Sequence, residues 1–264
     1  MNSIEKRKDS VSVNDLKANI PYKEKIREQV NSIHYKPKLF TVGFDDVKYV
    51  LGAVLKDQPG FQQLFSFNTI YESIVDLDRK IKHSILFGIQ CAEIPGNSDW
   101  DPFKEPSDTE WEALYYMENA LYRVSVLWDL LAQLFNLKEG LGISNEKIYA
   151  EQIFHNAQQG KKPNVFAKKV YDYMKQEDDG SSDPSKGNYA YLKEYRDKMT
   201  HRYAPSISTI SDYAIDLRLP AIYSLYRITE DYVQVSSFIQ ELLDDITHTA
   251  TNSIDNSSED SVND

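Results

Sequence analysis

The chain is 264 residues long, 41% hydrophobic and 27% charged, ample for a buried core in one large domain or two small ones. Ten glycines and ten prolines are few for that length, which disfavours collagen-like, low-complexity and turn-rich all-β architectures. No apolar run approaches the roughly 20 residues that cross a bilayer, the N-terminal MNSIEKRKDSVSVND lacks an apolar signal segment, and the single cysteine, Cys91, makes no internal disulfide. A cytoplasmic protein without a membrane partner is expected.

The formal net charge of −11 is unevenly placed. Residues 230–264 hold nine acidic residues and neither lysine nor arginine, leaving −2 for the rest of the chain. A second acidic patch is Glu177, Asp178, Asp179 and Asp183, whereas Lys161 to Lys175 carries five lysines against Asp172. The overall sign argues against general polyanion binding, because nucleic-acid affinity comes largely from phosphate neutralisation. A local basic strip can still hold a nucleic acid; the plainer reading of these lysines is a solvated helix face.

In chain order, residues 1–20 read as disordered. A short helix is expected from Tyr22 to His34 and another from Phe44 to Lys56, the latter stopped by Pro59-Gly60. From Phe61 to Glu93, Phe67, Ile70, Ile74, Leu77, Ile81, Ile85 and Gly88 fall at the three-and-four spacing of a packed helix. Ser107-Asp108-Thr109-Glu110 reads as a capping box, hydroxyl and carboxylate each satisfying a backbone N–H at a helix start. Leu114, Met117, Leu121, Val124, Trp128, Leu131 and Phe135 then continue a helix to Leu137, with Gly140 and Gly142 as its stop. These two long helices read as an antiparallel pair. The aromatic stripe Trp111, Tyr115, Tyr122 and Trp128 is read as helical core in preference to a base-stacking platform.

Ile143 to Gln176 reads as two shorter helices around Gly160–Pro163, followed by a flexible loop to Asn188. A helix from Asn188 to Tyr203 is closed by Pro205. The last long helix is expected from Asp216 to His248, with Pro220 in its first turn and Leu225, Ile228, Tyr232, Val235, Phe238 or Ile239, Leu242 and Ile246 inward. The expectation is an all-α bundle: one domain over 21–248, elaborated at 143–176, with a disordered acidic tail over 249–264. No metal-ligand spacing, Gly-rich phosphate loop or nucleophile elbow occurs, so neither metal nor cofactor is expected. Asp76-Leu77-Asp78 reads as a solvated helix face.

Tyr195-Arg196-Asp197-Lys198-Met199-Thr200-His201-Arg202-Tyr203 packs a guanidinium, a carboxylate, an imidazole and a phenol into one helix. At about 100° per residue, Asp197 and His201 share a face, so the carboxylate can orient the imidazole. Arg196 and His201 lie about 140° apart and cannot converge from one straight helix. Two copies facing across a two-fold axis can bring them together. Arginine binds phosphate through paired hydrogen bonds, and histidine moves protons near neutral pH, a combination suited to metal-free cleavage of an RNA phosphodiester. Lys193, Lys198 and Arg202, with Lys161, Lys162, Lys168 and Lys169, are the candidate RNA-backbone contacts. A structural reading stays open, in which Arg196 and Asp197 pair with surface charges and His201 is a partly buried helix residue.

On Arg196, Asp197, His201 and Tyr203 the chain resembles the HEPN superfamily of all-α ribonuclease-like domains, in the Arg-x4-His-x-Tyr form found in toxins paired with nucleotidyltransferase antitoxins. The resemblance covers about Phe61 to His248. It implies a metal-independent endoribonuclease acting as a homodimer, in a toxin–antitoxin, abortive-infection or other defence role, with RNA as substrate. It further implies an antitoxin or nucleotidyltransferase partner that modifies Tyr203. The alternative within the family is a non-catalytic module that binds a nucleotide or a partner protein.

Overall fold

The computed structural model describes residues 23–35, 59–94, 100–159, 162–177, 186–201, 205–210 and 215–260, with 59–65, 201, 209–210, 215–216 and 249–260 described by backbone alone. The expected disorder over 1–20 and the expected helix from Phe44 to Lys56 lie outside the described residues.

Seven α-helices are described: α1 (Lys23–Ser32), α2 (Pro59–Cys91), α3 (Asp108–Lys138), α4 (Ala150–Gln159), α5 (Val165–Met174), α6 (Asn188–His201) and α7 (Ala221–Asp260). Between α6 and α7 lies one short antiparallel ladder, β1 (Thr209–Ile210) with β2 (Ile215–Asp216), which the periodicity did not announce. The class is all-α. Helices α2 and α3 run antiparallel and pack along their lengths; Gly88 lets the Leu225 side chain of α7 approach, since a Cβ there would sit 3.0 Å from its methyl carbons. Every expected apolar position of α2, α3 and α7 is buried except Leu77, which is partly so, and Phe238 and Ile239 are both inward. Pro59-Gly60 opens α2, as a proline without an N–H can in a first turn.

The start of α3 differs from a closed capping box. Ser107 Oγ accepts the Glu110 N–H at 3.2 Å, as expected. The Glu110 carboxylate instead turns inward, where it is 1% exposed, and accepts the N–H of Glu93 at 3.0 Å and of Ala221 at 2.9 Å. One side chain thus joins the end of α2, the start of α3 and the start of α7. Burial raises the Glu110 pKa, opposed by these two N–H groups and by Arg218.

Helix α7 begins at Ala221, later than Asp216, because Ile215–Asp216 pairs with β1; Pro220 therefore precedes the helix, and its carbonyl accepts the Tyr223 N–H at 3.0 Å. Its far end runs past His248 to Asp260, so most of the tail expected to be disordered is helical. No glycine or proline follows Pro220 to interrupt it. Residues 221–229 are buried on every side, making α7 the central helix, and its polar groups must find partners inside. Arg227 donates to Asn188 Oδ1, to Tyr223 Oη at 3.2 Å and to the Lys186 carbonyl at 2.9 Å, and stacks over the Tyr191 ring at 4.5 Å. Asp231, with no exposure, accepts from Trp128 Nε1 of α3 and Tyr173 Oη of α5, each at 2.8 Å. Asp78 is not part of a solvated face: it is 7% exposed, pairs with Lys82 at 2.8 Å and accepts the Tyr232 hydroxyl, because this position of α2 faces α7.

Burial pushes the Asp231 carboxyl from 3.8 up to about 6, against the opposing pull of Trp128, Tyr173 and Arg227. The fold therefore binds this proton before the unfolded chain does, and the associated stability is present at low pH and lost as pH rises through about 6. Asp231→Asn removes the charge, keeps an oxygen to accept from Trp128, and replaces the oxygen that accepts from Tyr173 with an amide that can donate to its hydroxyl. Urea melts should show the wild type gaining on the order of 2–3 kcal/mol over Asp231→Asn between about pH 7 and pH 4. A difference that does not change with pH contradicts this.

Candidate functional site

Helix α6 is fixed at its start. Gly187 takes a positive φ of 66°, a conformation side chains disfavour, and turns the chain into the helix. Arg227 then grips Asn188 and Lys186, and Tyr191 Oη meets Ser224 Oγ at 2.7 Å. Leu192 and Tyr195 are buried, and burial raises the Tyr195 phenol well above its ordinary range. With that face committed to the core, Arg196 and Asp197 are turned outward, their side chains 39% and 51% exposed. The Arg196 guanidinium lies 3.4 Å from Asp197 Oδ1.

Arg196 borders a small pocket between α3, α4 and α6, which Ser125, Asp129, Tyr189 and Lys193 also line. Asp129 Oδ1 accepts the Ala150 N–H at 3.3 Å. Burial raises the Asp129 pKa; the Ala150 N–H and the Arg196 charge oppose the rise. Burial also raises the Tyr189 phenol, helped by Glu151 and Asp231 and opposed by Arg196. Trp128 forms the inner wall and passes its indole N–H to Asp231, so the pocket is backed by the buried network of α7. A guanidinium beside one carboxylate, Asp197, at the mouth of such a pocket can bind an anion without moving far.

Of the residues expected to form the site, Arg196 and Asp197 lie together. His201 ends α6 and is described by its backbone alone, while Arg202, Tyr203 and Lys161 lie outside the described residues. The other lysines face the chain's own carboxylates: Lys193 meets Glu151 at 2.5 Å, Lys198 meets Glu194 at 3.2 Å, Lys168 meets Asp172 at 2.5 Å and Lys169 meets Glu241 at 2.6 Å. Lys162 is exposed. Exposed pairs of this kind contribute about 0–1 kcal/mol each, so an incoming phosphate can compete for them. Among the described residues no group of three or more His, Cys, Asp or Glu side chains is placed to hold a metal ion.

The aromatic stripe is not core. Trp111, Tyr115 and Tyr122 are 63%, 57% and 39% exposed, and only Trp128 is buried, at 2%. At about 100° per residue the first three point within about 40° of one another, while Trp128 is turned about 100–140° away from them, among Leu121, Val124 and Leu131. Asp129 shares the outward direction, and α4 and α6 cover it only at its own level. Asp129, Glu151 and Asp231 are site-forming residues that motif reasoning missed. Each had a signal: Asp129 is a lone carboxylate within Leu127-Trp128-Asp129-Leu130-Leu131, and Asp231 falls in the inward register between Ile228 and Val235. Glu151 shows only as an acid in the first turn of α4.

No family model, curated protein or solved structure matches the chain.

The two tryptophans of α3 should behave oppositely. Trp111→Ala should change stability by less than about 0.5 kcal/mol, and Trp128→Ala should cost about 3–5 kcal/mol through lost packing and the orphaned Asp231. Equal losses in chemical denaturation would contradict the assignment of Trp111 to the surface.

Proposed function

We propose that the chain is a metal-independent endoribonuclease of the HEPN type, working as a homodimer whose composite groove draws on α6 of both copies. The observation that carries this reading is Arg196 itself: an outward-facing guanidinium at a pocket mouth, on the same helix as His201 and five residues from it. The surrounding architecture supports it, with two long antiparallel helices ahead of the motif helix and a long helix packed behind.

In this reading the His201 imidazole takes the proton of the ribose 2′-hydroxyl or delivers one to the departing 5′-oxygen. The 2′-oxygen forms a bond to phosphorus as the bond from phosphorus to the 5′-oxygen breaks. The products are a 2′,3′-cyclic phosphate and a free 5′-hydroxyl. Arg196 stabilises the extra negative charge on the phosphoryl oxygens, and Asp197 favours the charged imidazole. Because the two key side chains diverge by about 140° on one helix, the partner copy supplies the missing member. A defence or toxin–antitoxin role, with Tyr203 modified by a nucleotidyltransferase, belongs to the same proposal.

One observation favours a second reading, a non-catalytic module for a nucleotide or partner protein. Four of the lysines suited to an RNA backbone are engaged with acids of the chain, and the whole chain carries −11. The two readings part on one test. Purified protein should cleave single-stranded RNA in the presence of a chelator, and His201→Ala and Arg196→Ala should each lower the rate at least about a hundredfold. Undiminished cleavage by His201→Ala contradicts the nuclease, and an inactive wild type supports the binding module.

A further inference from the structure

The inserted helices carry a second cavity, apart from the one at Arg196. Ile153 and Phe154 bury the inner side of α4, which leaves Glu151 and His155, one turn apart, on its outer side. His155 meets Tyr171 of α5 there, with ring centroids 5.1 Å apart. Together with Glu151 and the exposed Tyr149, these rings line an open cavity of about 400 Å³. Lys175, which caps the end of α5, places its ammonium 5.3 Å from the centre of the Tyr171 ring and binds Glu151 Oε1. Lys193 of α6 takes Oε2 of the same carboxylate at 2.5 Å. Two cations from different helices thus converge on one anion at the rim of an aromatic cavity. Their hydrogen bonds hold the Glu151 carboxyl below the usual carboxylate range, against its partial burial. Lys193 also lines the Arg196 pocket, so the Glu151–Lys193 pair joins the two cavities.

We propose that this cavity is a nucleotide subsite for single-stranded RNA: one base lies against the Tyr149, His155 and Tyr171 rings, and the adjoining phosphate takes Lys175 and Lys193 from Glu151. Flat rings stack bases of any identity, and ammonium groups bind phosphate as compact charges. Glu151 occupies the place of that phosphate, one oxygen to each lysine. Ion pairs this exposed are weak, so the exchange costs little. That the strand continues to Arg196 and is cut there rests on the nuclease reading above; binding at the subsite does not.

The test uses full-length protein and two probes at fixed salt: a hexamer of deoxyadenylate, which lacks the 2′-hydroxyl and so binds without being cut, and adenosine monophosphate. The hexamer should bind the wild type at least about tenfold more tightly than the mononucleotide, because a strand also reaches beyond the subsite. Tyr149→Ala should weaken hexamer binding at least about fivefold, and Tyr149→Phe, which keeps the ring, should restore it. Glu151→Gln should tighten binding at least about threefold by releasing both lysines, and Lys175→Gln should weaken it by a similar factor. No binding of the hexamer, unchanged affinity in Tyr149→Ala, or a Glu151→Gln that binds no more tightly overturns the inference. If Glu151→Gln does not fold, Lys175→Gln decides the same point. A smaller gap between hexamer and mononucleotide overturns the assignment to a strand. A wild type that binds the hexamer but cleaves no RNA ends the nuclease reading and leaves the subsite. One that cleaves RNA while Tyr149→Ala binds the hexamer unimpaired leaves the nuclease and removes the subsite.

Discussion

The opening turns of α7 are surrounded by protein, and that single constraint organises the molecule. A helix buried on every side cannot leave a polar group to water, so Arg227 and Asp231 dictate what lies around them. Arg227 takes Asn188 and the Lys186 carbonyl and so fixes where α6 begins. Asp231, one turn on, takes the Trp128 indole and the Tyr173 hydroxyl and so fixes α3 and α5 against the same helix. Once both ends are set, Arg196 on α6 and Asp129 on α3 line one pocket as a consequence.

Charge at that pocket is closely balanced. The guanidinium has Asp197 beside it, Lys193 has Glu151, and Asp129 lines the same pocket. A site of this kind holds its cations in place while empty, without the repulsion that a bare basic cluster carries. The cost is weaker long-range attraction for a polyanion, in keeping with a chain whose formal charge is −11. Recognition of RNA here would rest on short-range contacts with the scissile phosphate more than on a broad electropositive surface.

The fold was largely legible in the sequence because its helices are long and their apolar spacing is strict: Leu114 through Phe135 and Leu225 through Ile246 could be placed residue by residue. What was not legible involved side chains whose partners are distant in sequence. Ser107 capped its own helix as local pattern demands, but Glu110 served Glu93 and Ala221, and no window of sequence contains that triangle. The exposure of Trp111, Tyr115 and Tyr122 follows from their angular distance from Leu114 and Trp128, which helix geometry alone sets. In the candidate site the motif pointed to Arg196 and Asp197. Asp129 and Glu151 escaped because each contributes by facing another helix, which spacing along one helix does not register.

In the proposed nuclease, one site draws an arginine from one copy and a histidine from the other. Mixing purified Arg196→Ala and His201→Ala proteins, each inactive alone, and allowing subunits to exchange tests it most directly. The mixture should regain cleavage of single-stranded RNA in chelator, since mixed dimers contain one intact Arg196 and one intact His201. A mixture that stays inactive, although both variants fold and self-associate like the wild type, would contradict it.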